Sequence, residues 1–180
     1  MSISLSIGRF VAILAVIFVC CSCTRGADPA AKAAEGDRPS TIESMYSEYR
    51  KDFPDIGEIR ATELLKLRDA GDLVLVDVRE PKERAVSVIR GSISSEEFEA
   101  SREAFRGKDI VVYCAIGHRS GLYVKELAAE GIAARNLAGS ILAWTHAGGE
   151  VVTFDGAKTN RVHVYGSQWD LLPEGFEAVW

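Results

Sequence analysis

Apolar positions fall along this chain in two patterns: short unbroken runs bounded by polar turns, and segments with apolar residues three or four apart. Unbroken runs of β-branched and aromatic residues suit strands covered on both faces, and the wider spacing suits helices with one buried face. From residue 56 onward the two patterns alternate. Residues 56–60 predict a short edge strand, and Thr62 opens a helix with Leu64, Leu65 and Leu67 that ends at Gly71. Residues 73–78, Leu-Val-Leu-Val-Asp-Val, predict a second strand, and a short extended piece follows over 86–93 with a turn at Gly91. Ser94 and Glu97 have the spacing of a capping box, in which each side chain accepts the other's backbone N–H. They open a helix to Phe105 that Gly107 stops. A strand over 110–113 runs into Cys114, and a helix beginning at Ser120 carries Leu122, Val124, Leu127 and Ala128 on one face until Gly131. Residues 134–138 add a strand and 140–147 a closing helix that buries Trp144. The alternation predicts an α/β domain over 56–149: an open parallel sheet with helices on both faces.

The flanks have different patterns. Residues 1–9 carry one charged side chain, Arg9, and residues 10–23 are apolar almost throughout. That run falls short of the roughly 20 residues needed to span a bilayer and suits the apolar region of a secretory signal, with an uncleaved anchor as the alternative. It ends in Cys20, Cys21 and Cys23. This pattern resembles a bacterial lipoprotein signal, in which a cysteine becomes the lipidated first residue of the mature chain. Cys23, preceded by Ser22, is the expected lipidation site, although Cys20 and Cys21 replace the aliphatic and small residues usual there. The region 24–55 is expected to be a linker and a short helix. Residues 24–40 are small, charged or Pro/Gly and cannot bury a core, while Ser40 or Thr41 caps a helix through Tyr49 with Ile42, Met45 and Tyr46 on its apolar face. Over 150–180, the runs 151–154 and 162–165 predict a hairpin around Asp155-Gly156, followed by an apolar end with Trp169, Leu172 and Trp180. Packing on the domain is the expected role of this extension, and a lid or docking surface near Cys114 is the alternative.

Composition narrows the partners. A chain of 180 residues holds one domain with appendages, and 21 Lys+Arg against 26 Asp+Glu, net −5, leaves no basic block for nucleic acid. With the N-terminal cysteines removed or acylated, Cys114 is the one free thiol of the four cysteines, so neither an internal disulfide nor a dithiol cycle is expected. His146 and His163 share no metal-ligand spacing with each other or with Cys114, and no metal or cofactor is expected.

The chemistry concentrates where the 110–113 strand ends. Residues 114–119 turn the chain into a helix, so loop N–H groups and the positive end of the helix dipole surround whatever sits there. The anion would be the Cys114 thiolate, favoured further by Arg119 and by His118. Gly117 suits a residue at positive φ in so short a loop. A cysteine ending an apolar strand is also commonly plain core packing, and His118 equally fits an ordinary surface residue.

Three motifs in order carry a resemblance. Cys114-Ala115-Ile116-Gly117-His118-Arg119 resembles the active-site loop of the rhodanese superfamily, Cys-x-x-Gly-x-Arg after a buried strand. Residues 73–81, ending Asp77-Val78-Arg79-Glu80-Pro81, are similar to its second strand and Asp-x-Arg-Glu-Pro turn, and 136–144 to its last strand and closing helix. One stretch departs: within 85–91, Val88 and Arg90 stand where the family usually has His and Pro. The resemblance implies a rhodanese-like fold and a sulfurtransferase in which Cys114 is the catalytic nucleophile and carries a persulfide. Ala115, Ile116, Gly117, His118, Arg119 and Ser120 would then bind the substrate. The partners would be a small-molecule sulfur donor and a thiol or cyanide acceptor, with a protein acceptor also open. Thiosulfate, mercaptopyruvate, polysulfide and a protein persulfide all remain as donors. Asp77, Arg79 and Glu80 fit a structural ion-pair and turn-capping network better than a role in the site.

Two alternatives stand beside this reading. Relatives of the fold act on tetrahedral oxyanions as phosphatases or arsenate reductases, but their arginine lies six positions after the cysteine, whereas Arg119 lies five after Cys114. Non-catalytic binding modules of the family characteristically lose the cysteine that is present here.

The flank reading yields a prediction of location: an exported, periplasmic or otherwise extracytoplasmic domain tethered to the membrane. On expression in bacteria and fractionation, the protein should sediment with membranes. Cys23→Ala should release it if the tether is a lipid, and should change nothing if the apolar run is kept as the anchor. Unprocessed protein in the soluble cytosol would contradict export altogether.

Overall fold

The computed structural model of the protein describes residues 29–68 and 71–180. The expected signal or anchor over 1–23, with Cys23, lies outside the described residues. Helix α1 runs Pro29–Tyr49, so it begins well before Ser40 or Thr41 and takes in most of the expected linker. The linker reading judged that small and charged residues cannot bury a core. Alanine, which dominates 30–34, nevertheless has the highest intrinsic helix propensity, and that sets local structure without burial. The apolar face of α1 is as expected: Ile42 and Tyr46 are buried, with Met45 and Tyr49 packed beside them.

The domain follows in order as β1 (Gly57–Ile59), α2 (Ala61–Leu67), β2 (Leu73–Asp77), α3 (Pro81–Arg84), β3 (Val88–Ile89), β4 (Ile93–Ser94), α4 (Ser95–Ala100), β5 (Asp109–Tyr113), α5 (His118–Ala129), β6 (Arg135–Leu137) and α6 (Ser140–His146). Five strands form one parallel sheet in the order β1-β6-β5-β2-β4, with β5 at the centre. Successive side chains of a strand point to opposite faces. Accordingly Leu75, Val111 and Tyr113 join one core with Ile42 of α1, Leu64 of α2 and Ile141, Leu142 and Trp144 of α6. Val74, Val76, Ile110 and Val112 join the other, with Phe98 of α4 and Val124 and Leu127 of α5. The open α/β sheet with helices on both faces is therefore as predicted, and the Cys114 strand is its most enclosed member.

Three local expectations change. The extended piece over 86–93 divides between two sheets, β3 in one and β4 in the other. The capping box forms as read, with Glu97 N–H on Ser94 Oγ at 3.1 Å and Ser94 N–H on Glu97 Oε2 at 2.7 Å. However, α4 stops at Ala100, and a 3₁₀ turn over Arg102–Phe105 finishes the segment. Helix α5 begins at His118, two residues before Ser120, because Gly117 takes φ +109° and its successor is already helical.

The extension also folds differently from the expected hairpin. Its strands are β7 (Val151–Val152), β8 (Lys158–Thr159), β9 (Arg161–His163) and β10 (Glu177–Val179). Asp155-Gly156 turns β7 back onto β8, and β7 also pairs antiparallel with β3. The expected partner strand instead lies in β9, which pairs in parallel with β10. The departing stretch around Val88 supplies a second edge, so β7 sits between β3 and β8 and leaves β9 to pair elsewhere. Val151, Val162, Val164 and Leu172 are buried in the Trp144 core, so the extension is part of the domain's packing.

Asp77 and Arg79 form a buried pair at the end of β2. Arg79 Nη2 is 2.7 Å from Asp77 Oδ2 and Nε is 3.0 Å from Oδ1, and the same Nη2 donates to Ser87 O at 2.7 Å. The guanidinium also lies 5.5 Å from the Tyr113 ring centre. Removing one partner of such a pair leaves an uncompensated buried charge, whereas replacing both by apolar groups does not. Asp77→Ala should therefore lower unfolding free energy by about 3–5 kcal/mol in urea titrations. Asp77→Leu combined with Arg79→Met should recover most of it. Equal losses in the single and double variants would show that the charges are not what holds this turn.

Candidate active site

Cys114 follows directly on β5, with its thiol 1% exposed at the N-terminus of α5. Gly117 N–H donates to Sγ at 3.1 Å and Ser120 Oγ at 3.4 Å, while Ser140 Oγ lies 3.9 Å away. Ser140 Oγ also accepts Cys114 N–H at 2.9 Å, from the left-handed start of α6 where Ser140 has φ +48°. The loop is thus clamped between two helix starts. Asn136 in β6 fastens its far side, donating from Nδ2 to Gly117 O at 2.8 Å and to Tyr46 Oη at 3.1 Å. Gly117 is required twice over: its φ is left-handed, and a Cβ there would sit 2.6 Å from the Tyr46 ring.

Electrostatics favour the thiolate. Burial alone pushes the thiol pKa up. The Ser120 hydroxyl, the Arg119 charge and the N–H groups of Ser120 and Gly117 outweigh it, and the net shift is downward. Arg119 is itself held by a carboxylate. Its Nη1 lies 2.6 Å from Glu83 Oε2 and its Nη2 2.8 Å from Oε1, and Glu83 is fully buried. Burial pushes the Glu83 carboxyl up, but the Arg119 bonds and charge, the Glu80 N–H and Arg79 hold it below the ordinary carboxylate value.

The candidate residues from the sequence divide by role. Cys114, Gly117, Arg119 and Ser120 converge on the sulfur. Ala115 and Ile116 are buried; Ala115 O accepts Leu142 N–H at 3.3 Å and Ile116 packs into the core. His118 sits at the rim, its Nε2 3.0 Å from Asp52 Oδ2 and its ring 4.7 Å from that of Tyr49. Asp77 and Arg79 stay in their own buried pair, and Trp144 is core. His146 and His163 hold backbone: His146 Nε2 lies 2.7 Å from Leu171 O, and His163 Nδ1 accepts Tyr165 N–H at 3.1 Å. Among the described residues no group of three or more His, Cys, Asp or Glu side chains is placed to hold a metal ion.

Three contributors escaped the sequence reading. Asn136 left a trace, since asparagine is depleted in strands and one inside an apolar run asks for a polar partner. Ser140 and Glu83 left none, because both act across long sequence separations. Tyr165 and Trp169, with Tyr49 of α1, line with the loop an open cleft of about 140 Å³ over Cys114, so the extension packs on the domain and also stands near Cys114.

A buried cysteine at the carboxyl end of the central parallel strand, facing a helix N-terminus, defines an α/β domain with a single cysteine loop. The particular family is shown by comparison: residues 60–147 match the Rhodanese-like domain, and the chain belongs to that family. A rhodanese-related protein from Thermoplasma volcanium is 30% identical over 53% of this chain and 97% of its own, with a TM-score of 0.47. A Rhodopseudomonas palustris protein of unknown function, described as a possible tyrosine phosphatase, is 28% identical over 62% of this chain and 93% of its own, with a TM-score of 0.49. A thiosulfate sulfurtransferase from Pseudomonas aeruginosa is 21% identical over 62% of this chain and 23% of its own. Its TM-score of 0.51 shows the shared fold. No curated protein matches the chain.

The Glu83–Arg119 pair generates a pH prediction. A carboxyl whose folded pKa is depressed stabilises the fold above its unfolded value, about 4.3, and loses that contribution as pH falls through the lower folded value. Glu83→Gln should cost about 2 kcal/mol at neutral pH, since one charged partner of two hydrogen bonds is lost. The gap to wild type should close as pH falls from about 4.3 into the acid range. Thermal melts across that window check this, and a gap that widens in acid would contradict the assignment.

Proposed function

We propose that the protein is a sulfurtransferase. The Cys114 thiolate attacks the outer, sulfane sulfur of a donor such as thiosulfate, the S–S bond of the donor breaks, and sulfite leaves with the bonding pair. Cys114 then carries a persulfide, Cys–S–S⁻. A thiol or cyanide nucleophile takes the outer sulfur and regenerates the thiolate, so the cycle is a double displacement. The observation that carries this reading is the buried Cys114 Sγ facing Gly117 N–H and the Ser120 hydroxyl, with its pKa drawn down. Those donors are fixed before reaction and face negative charge in both the thiolate and persulfide forms.

The phosphatase alternative fits less well. Besides the shorter loop, both terminal nitrogens of Arg119 are committed to Glu83, so the planar fork that would grip a phosphate is already occupied. A purely binding module has no need of a thiolate-stabilising cradle. The N-terminal pattern further supports a tethered, extracytoplasmic site of action.

The test is a side-by-side assay of purified protein. Intact mass after thiosulfate should rise by one sulfur in wild type and not in Cys114→Ser. Thiocyanate formation with cyanide should fall by at least about a thousandfold in that variant, as when a nucleophile is removed. Aryl phosphate hydrolysis should be negligible. Phosphatase turnover without sulfur loading would sink the proposal, and sulfur retained on Cys114→Ser would show that another group carries it.

A further inference from the structure

The family match ends at residue 147, yet two residues beyond it wall the cavity over Cys114. Tyr165 and Trp169 meet edge to face, with ring centres 5.2 Å apart, and the Arg119 guanidinium lies 5.0 Å from the Tyr165 ring. Tyr165 has φ +74°, a left-handed conformation unusual for an aromatic residue. Buried Val162 and Val164 anchor the chain just before it, so the packed extension imposes this conformation and holds the ring over the loop. Tyr49 stands at the same cavity, stacked near His118.

Lining and charge then bear on what enters. The cavity is a cleft of about 140 Å³ open to solvent on one side, with the Tyr165 ring half exposed at its mouth. Its walls from outside the loop are aromatic, suited to a flat apolar group. Both cationic candidates at the cavity are already paired, Arg119 with Glu83 and His118 with Asp52. The buried Glu83 charge offsets Arg119, and the Cys114 thiolate adds a negative charge of its own. A dianion is poorly matched to such a site, whereas a monoanion with a small planar apolar substituent is well matched.

Resting on the sulfurtransferase reading, we propose that Tyr165 and Trp169 are specificity-determining residues, selecting a sulfane sulfur carried on a small apolar or aromatic group over dianionic thiosulfate. Aryl thiosulfonates represent the class. Cys114 thiolate takes the terminal sulfur of ArSO₂S⁻, the S–S bond breaks, and the arylsulfinate ArSO₂⁻ leaves with the electron pair while its ring lies against Tyr165 and Trp169.

The experiment compares benzenethiosulfonate, methanethiosulfonate and thiosulfate as donors to one acceptor, in the full chain and its variants. Ratios between variants cancel the differing leaving-group reactivity. Trp169→Ala and Tyr165→Ala should each lower kcat/KM for benzenethiosulfonate relative to methanethiosulfonate by about fivefold to tenfold, the size of an aromatic contact. Trp169→Phe should restore most of the ratio, and methanethiosulfonate loading of Cys114 by intact mass reports that each variant is folded. An unchanged ratio in both alanine variants, or a wild type that prefers thiosulfate to both thiosulfonates, would overturn the assignment while leaving sulfur transfer intact. Failure of all three donors to load wild-type Cys114 would instead overturn the sulfurtransferase reading and this inference with it.

Discussion

A buried sulfur whose thiol pKa is drawn down without water is the condition around which the molecule is arranged. Cys114 is almost wholly out of water, which by itself favours the neutral thiol. The downward shift comes from the donors that replace water. Gly117 N–H belongs to a loop held in a left-handed turn at φ +109°, and Ser120 lies in the first turn of α5. Each restraint recruits an element: Asn136 ties the loop to β6, Tyr46 ties Asn136 to α1, and Ser140 brings in α6. The sheet order matters for the same reason, since a cysteine on the central strand has a covered neighbour on either side.

A second layer of charge supports the first. Arg119 favours the thiolate, but a lone guanidinium that is mostly buried would itself be poorly compensated. Glu83 supplies the counter-charge from α3, and Arg79, bound to Asp77, lies close enough to help keep Glu83 ionised. The chain of alternating charges runs from the end of β2 to the rim of the site. The Asp-x-Arg turn is therefore structural in its contacts, yet its arginine helps to hold Glu83 ionised beside Arg119.

The extension completes the domain on one side and the cavity on another. Val151 and Val152 pair with the short β3 strand, Val162, Val164 and Leu172 fill the core around Trp144, and the chain between Val164 and Leu172 presents Tyr165 and Trp169 to the loop. The apolar packing of this segment and its position at the site are thus linked, because the buried valines fix where the two rings stand.

The alternation of apolar runs with amphipathic segments determined the open parallel sheet, and the residues around Cys114 determined the strand–loop–helix that carries it, because both depend on short-range patterns of burial, turn geometry and helix start. The capping box of Ser94 and Glu97 and the positive φ of Gly117 were legible for the same reason. The full length of α1 is not legible from composition read for burial, since alanine's helix propensity acts without burial. Tertiary structure alone decided that Glu83 would hold Arg119, that Ser140 would face Cys114, and that β7 would pair with β3 and not with β9. Those choices depend on which distant groups meet once two cores have closed. Local sequence does not encode such meetings, because hydrogen bonds, ion pairs and strand edges are satisfied by whatever partner packing brings within reach.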